Sequence, residues 1–238
     1  MSTSSPVSSL PDVGAVVVAA GSGRRAGGEV AKQFREIAGI PMLLRALRPF
    51  LAHPAVGLVV AVIPAHAVTD PPRWLVPSAR LRLVAGGAER IDSVELGLAA
   101  LDDRCQVVVV HDGARPFVGR SVIDAVIEAA RQGDGAVAGV PVADTIKRAN
   151  GAAGARTVAA TVPREGLWRA QTPQAFPIEL IRRGLAHARA TQTVSTDDAA
   201  MVEAVGARIV LVPDHPANIK ITATEDFELA EAIARVVR

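Results

Sequence analysis

Short runs of aliphatic residues recur along this chain without polar alternation: Val13 to Ala19, Leu58 to Ile63, Leu81 to Val84, Val107 to Val110, Ala136 to Val140 and Arg208 to Val212. A strand with one face in water alternates apolar and polar side chains, so runs of this kind call for strands covered on both faces. Between them lie segments with helical spacing, at Met42 to Leu51, Ile91 to Leu101, Val122 to Ala130, Ile178 to Ala188 and Phe227 to Val236. Strand alternating with helix predicts βα units and an α/β fold with a mostly parallel sheet flanked by helices.

One stretch breaks that rhythm. Asp144 to Val162 carries NGAAGA between two polar, β-branched pieces and reads as a hairpin, either projecting as an arm at about 143–165 or lying as an ordinary surface loop. No repeat and no second composition regime divides the chain, so 13–238 is expected to form a single domain that includes the arm. The segment MSTSSPVSSLPD before it is polar and Ser-rich, without the basic start and apolar core of a signal peptide, and is expected to be a loose tail over 1–12.

Composition removes several function classes. The 26 basic and 24 acidic side chains leave a formal charge of +2, and no Lys/Arg block marks a nucleic-acid surface. Aromatic residues make up 3% of the chain, with no Tyr, so base stacking is a poor binding mode and the core must be aliphatic. No apolar run approaches the roughly 20 residues that span a bilayer. The single cysteine, Cys105, can form neither an intrachain disulfide nor a cysteine-built zinc site, which favours a reducing, cytoplasmic setting.

The first apolar run ends in Ala19-Ala20 and enters Gly21-Ser22-Gly23-Arg24-Arg25. Small residues there let the backbone turn sharply and aim free amides at an anion. The turn lacks the Gly-Lys-Ser/Thr of a P-loop. A dinucleotide site would require an acidic residue after a second strand about 20 residues on, whereas Glu36 precedes a turn and a helix, which disfavours a nicotinamide dehydrogenase. Arg24, Arg25 and Lys32 instead place cations beside the turn, as a triphosphate requires.

Two further places carry candidate chemistry. Gly86-Gly87, after the Leu81 run, allows close approach to a flat ring, with Ser93 on the next helix as a hydrogen-bonding group; a plain turn with an Arg90–Asp92 pair is the competing account. His111-Asp112-Gly113-Ala114-Arg115-Pro116 follows Val107 to Val110, which puts Asp112 at the carboxyl end of a central strand, where α/β proteins bind ligands. Asp112 is the best single candidate to bind a metal or a sugar hydroxyl, and bracing the turn through Arg115 is its structural alternative. His111 is expected to pack rather than react. Asp197 and Asp198 are explained as well by helix capping as by metal binding.

The order of motifs resembles the 2-C-methyl-D-erythritol 4-phosphate cytidylyltransferases of isoprenoid precursor synthesis: AAGSGRR at 19–25, AKQF at 31–34, GGAERIDSV at 86–94, HDGARP at 111–116, ADTIKR at 143–148, TVPR at 161–164, QTPQAF at 171–176, TDDA at 196–199 and NIKIT at 218–222. The resemblance implies a Rossmann-like nucleotidyltransferase sheet, transfer of CMP from CTP to a small sugar-alcohol phosphate with release of pyrophosphate, a divalent cation such as Mg²⁺, and a homodimer joined by the arm. It implies that Ala19, Ala20, Gly21, Gly87, Ser93 and Gly113 line the CTP site and that Arg25 and Lys32 stabilise the transition state. Asp112, Arg115, Thr145, Arg164, Thr172, Thr196 and Lys220 would surround the acceptor, with Arg164 and Lys220 positioning it.

The chain departs from that family's usual pattern at Val18 and Ala31, where Pro is common, and at Ala88, where Asp is common. A ribitol-5-phosphate cytidylyltransferase would share the turn, the lysine and the phosphate chemistry. A nonenzymatic nucleotide sensor would not need Arg25, Lys32, Arg164 and Lys220 together. Lys220 is expected to follow an edge strand in NIKIT.

Overall fold

The computed structural model describes residues 11–21, 31–151, 156–193 and 195–236. In chain order these form β1 (Val13–Val18), a 3-10 turn (Lys32–Phe34), β2 (Glu36–Ile37), β3 (Ile40–Pro41), α1 (Met42–Leu51), β4 (Val56–Ile63), α2 (Ala65–Thr69), β5 (Leu81–Ala85), α3 (Arg90–Ala99), β6 (Val107–Asp112), α4 (Arg120–Arg131), β7 (Gly135–Pro141), β8 (Ile146–Asn150), β9 (Thr157–Val162), β10 (Trp168–Pro177), α5 (Ile178–Thr191), α6 (Asp198–Glu203), β11 (Ile209–Pro213) and α7 (Glu225–Val236).

Seven strands make one sheet in the order β11-β7-β10-β6-β1-β4-β5. All neighbours are parallel except β10, which runs antiparallel to both β6 and β7. The aliphatic runs sit in this sheet as their pattern demands: Val13, Ala15 and Val17 of β1 face α1 and α4, while Val16 faces α3. Each face has its own cluster, one built with α1, α2 and α4 and the other with α3, α5 and α6. Fully burying a Val or Leu contributes roughly 1.5–3 kcal/mol, so these two aliphatic layers hold the sheet without aromatic bulk. In α1 the buried positions Met42, Leu43, Ala46, Leu47 and Phe50 fall on one helical stripe.

The strand missing from the aliphatic runs is β10, which lies between β6 and β7. Its sequence, WRAQTPQAFP, holds polar residues and two prolines and so lacks a strand's usual signature. Its pairing with β7 shifts register between Ala170 and Gln174, and the residues in between, with the cis Thr172-Pro173 bond, lie next to β6's carboxyl end.

β8 and β9 form a separate antiparallel pair, with Ile146 opposite Val162 and Asn150 opposite Thr157. Nearly every residue of the two strands is exposed, Val158 to 65%. At its base Val142 N–H donates to the Leu167 carbonyl, and an Arg164 Nη1–H donates to the Ala143 carbonyl. A third cluster joins α7 to the segment around Ile221 through Phe227, Ile37, Met42 and Phe117.

NIKIT is not a strand. Residues 218–222 are irregular, because their polar groups are used elsewhere: the Asn218 amide donates to the Thr172 carbonyl (2.9 Å) and to Asp214 Oδ2 (2.6 Å), and Ile221 N–H donates to the Ala114 carbonyl (2.9 Å). The segment is laid across the site rather than added to a sheet.

Candidate active site

β1 and β6 run parallel in register, with Val18 beside Asp112, so the two motif-bearing loops leave the sheet side by side. Gly113 N–H donates to the Val18 carbonyl (2.9 Å), and a Cβ on Gly113 would come within 2.8 Å of Ala19 Cβ. Only glycine permits that approach. Gly86 is under the same constraint, since a Cβ there would lie 2.1 Å from Ala20 Cβ.

A cleft of about 640 Å³ opens at this point, lined by Ala19, Ala20, Gly21, Lys32, Gly87, Ser93, Asp112, Gly113 and Lys220, among others. Beside it lies a smaller cleft of about 230 Å³, lined by Arg115, Gln171, Thr172, Gln174, Thr196 and Asp197. Three residues border both: Arg90, Asp112 and Lys220. A separate cleft of about 370 Å³, at the opposite end of the sheet around Asp12, Val13 and Cys105, contains none of the motif residues.

Every residue expected at the nucleotide lines the larger cleft, and Arg115, Thr172 and Thr196 line the smaller. Thr145 and Arg164 do not join them; both are exposed at the base of the arm. Arg25 and its neighbour Arg24 lie outside the described residues. Lys32 Nζ donates to the Ile221 carbonyl (2.7 Å), which ties the lysine of the first loop to the segment that carries Lys220. Ala31, where the resemblance has Pro, adopts φ −55°, an angle proline also takes.

Asp112 is buried at the end of β6, and its carboxylate faces two cations. Lys220 Nζ lies 2.7 Å from Oδ2 and Arg90 Nη2 lies 3.3 Å from Oδ1. Burial alone would raise its pKa; Arg90 and Lys220 outweigh burial and hold it well below the ordinary carboxylate range. Arg115 does not brace this carboxylate directly. Its Nη1 donates to the Asn218 carbonyl (2.7 Å), and the turn is closed instead by Arg115 N–H on the Asp112 carbonyl (2.9 Å).

His111 packs. It is fully buried, and desolvation pulls its pKa down to about 4. The neutral ring has one donor, and its partners fix which nitrogen that is. Nε2 faces only a carbonyl, that of Arg115 (3.0 Å), so Nε2–H donates; Nδ1 then accepts from the Thr172 hydroxyl (3.0 Å). Thr172 Oγ1 in turn accepts from Asp112 N–H (3.0 Å). The chain of bonds fixes Thr172 against the end of β6.

Arg90 and Asp92 do not pair with each other. Asp92 completes a capping box with Glu89 at the start of α3 and meets Arg189. Arg90 reaches instead to Asp198, which is fully buried, with Nη1 to Oδ1 at 2.7 Å and Nη2 to Oδ2 at 2.6 Å. Burial lowers the Arg90 pKa, but Asp198 and Asp112 more than reverse that and keep the guanidinium charged. Asp197, not Asp198, caps α6, accepting from Ala200 N–H (3.0 Å).

Gly87 and Ser93 are engaged within the protein as well as facing the cleft. Gly87 N–H donates to Ser93 Oγ (3.2 Å), whose own hydroxyl donates to the Glu89 carbonyl (3.2 Å). Sequence reasoning singled out neither Gln174 nor Asn218, and it assigned Arg90 and Asp198 other work. Each belongs to a quoted motif, and that position was the one signal available.

Residues 13–236 match the family model described as IspD, 2-C-methyl-D-erythritol 4-phosphate cytidylyltransferase. The chain belongs to this family. It is 42% identical over 203 residues to the 2-C-methyl-D-erythritol 4-phosphate cytidylyltransferase of Acidobacterium capsulatum, covering 84% of this chain and 85% of that one. It is 44% identical over 237 residues to the bifunctional enzyme IspD/IspF of Rhodospirillum rubrum, covering 95% of this chain but 58% of the relative's length.

Among solved structures, the fold is similar to the 2-C-methyl-D-erythritol 4-phosphate cytidylyltransferase of Thermus thermophilus, with TM-score 0.75, 34% identity, and 92% and 98% of the two chains covered. The 4-diphosphocytidyl-2C-methyl-D-erythritol synthase of Anaerococcus prevotii gives TM-score 0.80 at 28% identity, with 94% and 98% covered. The chain is thus an α/β nucleotidyltransferase of the IspD family, with β10 as the one reversed strand of its sheet.

Proposed function

We propose that the protein transfers CMP from CTP to 2-C-methyl-D-erythritol 4-phosphate, giving 4-diphosphocytidyl-2-C-methyl-D-erythritol and pyrophosphate. The observation that carries this reading is the pair of abutting clefts that share Arg90, Asp112 and Lys220. The larger has room and small residues for a nucleotide; the smaller has Arg115, Thr172 and Thr196 for a short phosphorylated polyol. An acceptor phosphate oxygen attacks the α-phosphorus of CTP, the new P–O bond forms, and the bond to the β-phosphate breaks.

That phosphate is already ionised near neutral pH, so the reaction needs no general base. Catalysis reduces to positioning and charge. Lys220, at the boundary, holds the incoming phosphate; Lys32, on the nucleotide side, meets charge that grows on the α-phosphate and the leaving pyrophosphate. Arg25 is assigned the same work by the family resemblance. Asp112 stays ionised between Arg90 and Lys220, ready to accept from acceptor hydroxyls.

Among the described residues no three His, Cys, Asp or Glu side chains gather as a metal cage. Both Asp112 oxygens already face cations, Arg90 and Lys220, so Mg²⁺ beside it would be held mainly by substrate phosphates and water, with this carboxylate as its one protein partner. Bound there, Mg²⁺ would offset charge on the triphosphate.

Dimerisation is part of the same proposal. An isolated two-stranded hairpin is marginally stable in water, and the exposed β8–β9 pair carries Thr145 and Arg164 near its base. In a homodimer with exchanged arms these two would serve the partner's acceptor cleft. Among the described residues no helix is long and apolar enough to cross a membrane, and the lone, buried Cys105 suits a reducing cytoplasm.

The test is pyrophosphate release from CTP and Mg²⁺ with methylerythritol phosphate, ribitol 5-phosphate or no acceptor. Release that depends on methylerythritol phosphate is expected. Preference for ribitol 5-phosphate would reassign the acceptor, and release with neither would overturn the reading.

A further inference from the structure

Four charged groups from four separate elements form a chain of contacts that ends at the boundary of the two clefts: Asp198 at the start of α6, Arg90 at the start of α3, Asp112 at the end of β6, and Lys220 in the irregular 218–222 segment. Their signs alternate. The outer carboxylate, Asp198, is fully buried and lines neither cleft, yet it takes both arms of the Arg90 fork.

We propose that Asp198 and Arg90 are a positioning pair: Asp198 anchors the guanidinium so that Arg90 meets Asp112 at one oxygen and leaves the other to Lys220. The inference rests on the cytidylyltransferase reading of the site.

Asp198 is itself held by more than its own ion pair. Gln174 of β10 donates from Nε2 to Asp197 Oδ2 (2.9 Å) and accepts at Oε1 from Ala199 N–H (2.9 Å), which clamps the residues on both sides of Asp198 to the central sheet. Removing a carboxylate from water is costly, and apolar side chains of similar volume often serve stability as well or better. A fully buried Asp whose arginine reaches on to a site carboxylate therefore has a better account in geometry than in stability.

The contact lengths show what the pair controls. Arg90 lies within 2.7 Å of both Asp198 oxygens but 3.3 Å from Asp112, so Asp198 holds the guanidinium back. Without the Asp198 charge, Arg90 has one carboxylate left and closes on Asp112. It then competes with Lys220 for that group. The disturbance falls on Asp112 and Lys220, which border both clefts and are the groups assigned to the acceptor, and not on the Ala19 to Gly21 backbone, which lines the larger cleft alone.

The experiment uses the full-length protein and Asp198→Asn, which keeps the shape and removes the charge. Acceptor kcat/KM is expected to fall by roughly 10- to 100-fold, the range of strongly coupled neighbours, while CTP affinity without acceptor, measured by calorimetry, stays within about twofold. Placed on Asp112→Asn, the same change is expected to cost less than about threefold, because the group it acts through is already lost. An undiminished penalty on Asp112→Asn, a matching loss of CTP affinity, or unchanged acceptor kinetics would overturn the proposal.

If Asp198→Asn does not fold, Arg90→Lys gives the same readings, since an ammonium keeps the charge but not the fork. Wild-type acceptor kinetics in Arg90→Lys would overturn the proposal equally. Wild-type protein is the control that separates the two levels: no acceptor-dependent pyrophosphate release from it removes the cytidylyltransferase reading and the pair's role together, whereas normal wild-type turnover with unaffected variants removes only the pair.

Discussion

The carboxyl end of the central sheet and the β8–β9 arm are built on opposite terms. At the sheet end several charged and polar groups are fixed by one another, mostly across long stretches of chain: Asp112 by Arg90 and Lys220, Thr172 by His111, Asn218 by Thr172 and by nearby Asp214. On the arm the strands pair with each other and most of their side chains, Val158 included, are exposed. The first region is held by contacts within one chain. The second is proposed above to be covered by a partner, and one site would then draw on both kinds of construction.

Four measurements bear on that contrast. The largest effect is expected at the sheet end, where Lys220→Ala removes the charge proposed to hold the reacting phosphate; kcat for pyrophosphate release should fall by roughly 10²–10³-fold. Near-normal turnover would mean that the boundary between the clefts is not where the chemistry happens.

Next comes acid stability. His111 is held neutral with its pKa lowered to about 4. From its ordinary value near 6.5 down to about 4 the unfolded chain binds a proton that the folded chain refuses, so folding stability falls as pH drops through that window and His111's contribution is fully present above it. The loss should approach roughly 3 kcal/mol. Urea titrations at about pH 7 and about pH 4.5, on either side of most of that window, compared with His111→Gln, check it; equal pH slopes in both proteins would remove His111 as the cause.

The arm should respond the other way round, in assembly rather than in folding. Val158→Asp is expected to weaken the proposed arm-mediated dimer by about tenfold or more in analytical ultracentrifugation, since a charge buried in that interface must be desolvated, and to leave the melting of the isolated chain nearly unchanged. A dimer of undiminished affinity would place the interface elsewhere. Smallest of all is Lys147→Ala, which deletes an exposed hydrogen bond to Thr161 and should change stability by under ~0.5 kcal/mol. A larger cost would show that the arm is stabilised from within.

The two regions also differed in how far they could be read from sequence. The aliphatic strands and most of the helices were legible because burial on both faces and helical periodicity leave a local trace, as in Val13 to Val18 and the Met42 to Phe50 stripe. β10 left none, because Gln171, Thr172 and Gln174 take partners far away in the chain, at Asn218, His111 and Asp197. NIKIT looked like a strand and is a strap, since Asn218 finds its partners in Thr172 and Asp214 rather than in a neighbouring ladder. Motif order brought Asp112, Lys32 and Lys220 to notice. It could not reveal that Arg90 turns to Asp198 instead of Asp92, because 108 residues separate that pair.

Whether the paired clefts join a nucleotide to an acceptor, as proposed, is read directly by ³¹P NMR of the wild-type protein with CTP, methylerythritol phosphate and Mg²⁺. The acceptor's monophosphate signal is expected to be replaced by that of a diphosphate linkage, with one pyrophosphate released for each linkage formed. CMP and pyrophosphate with the acceptor signal unchanged, or CTP left intact, would contradict it.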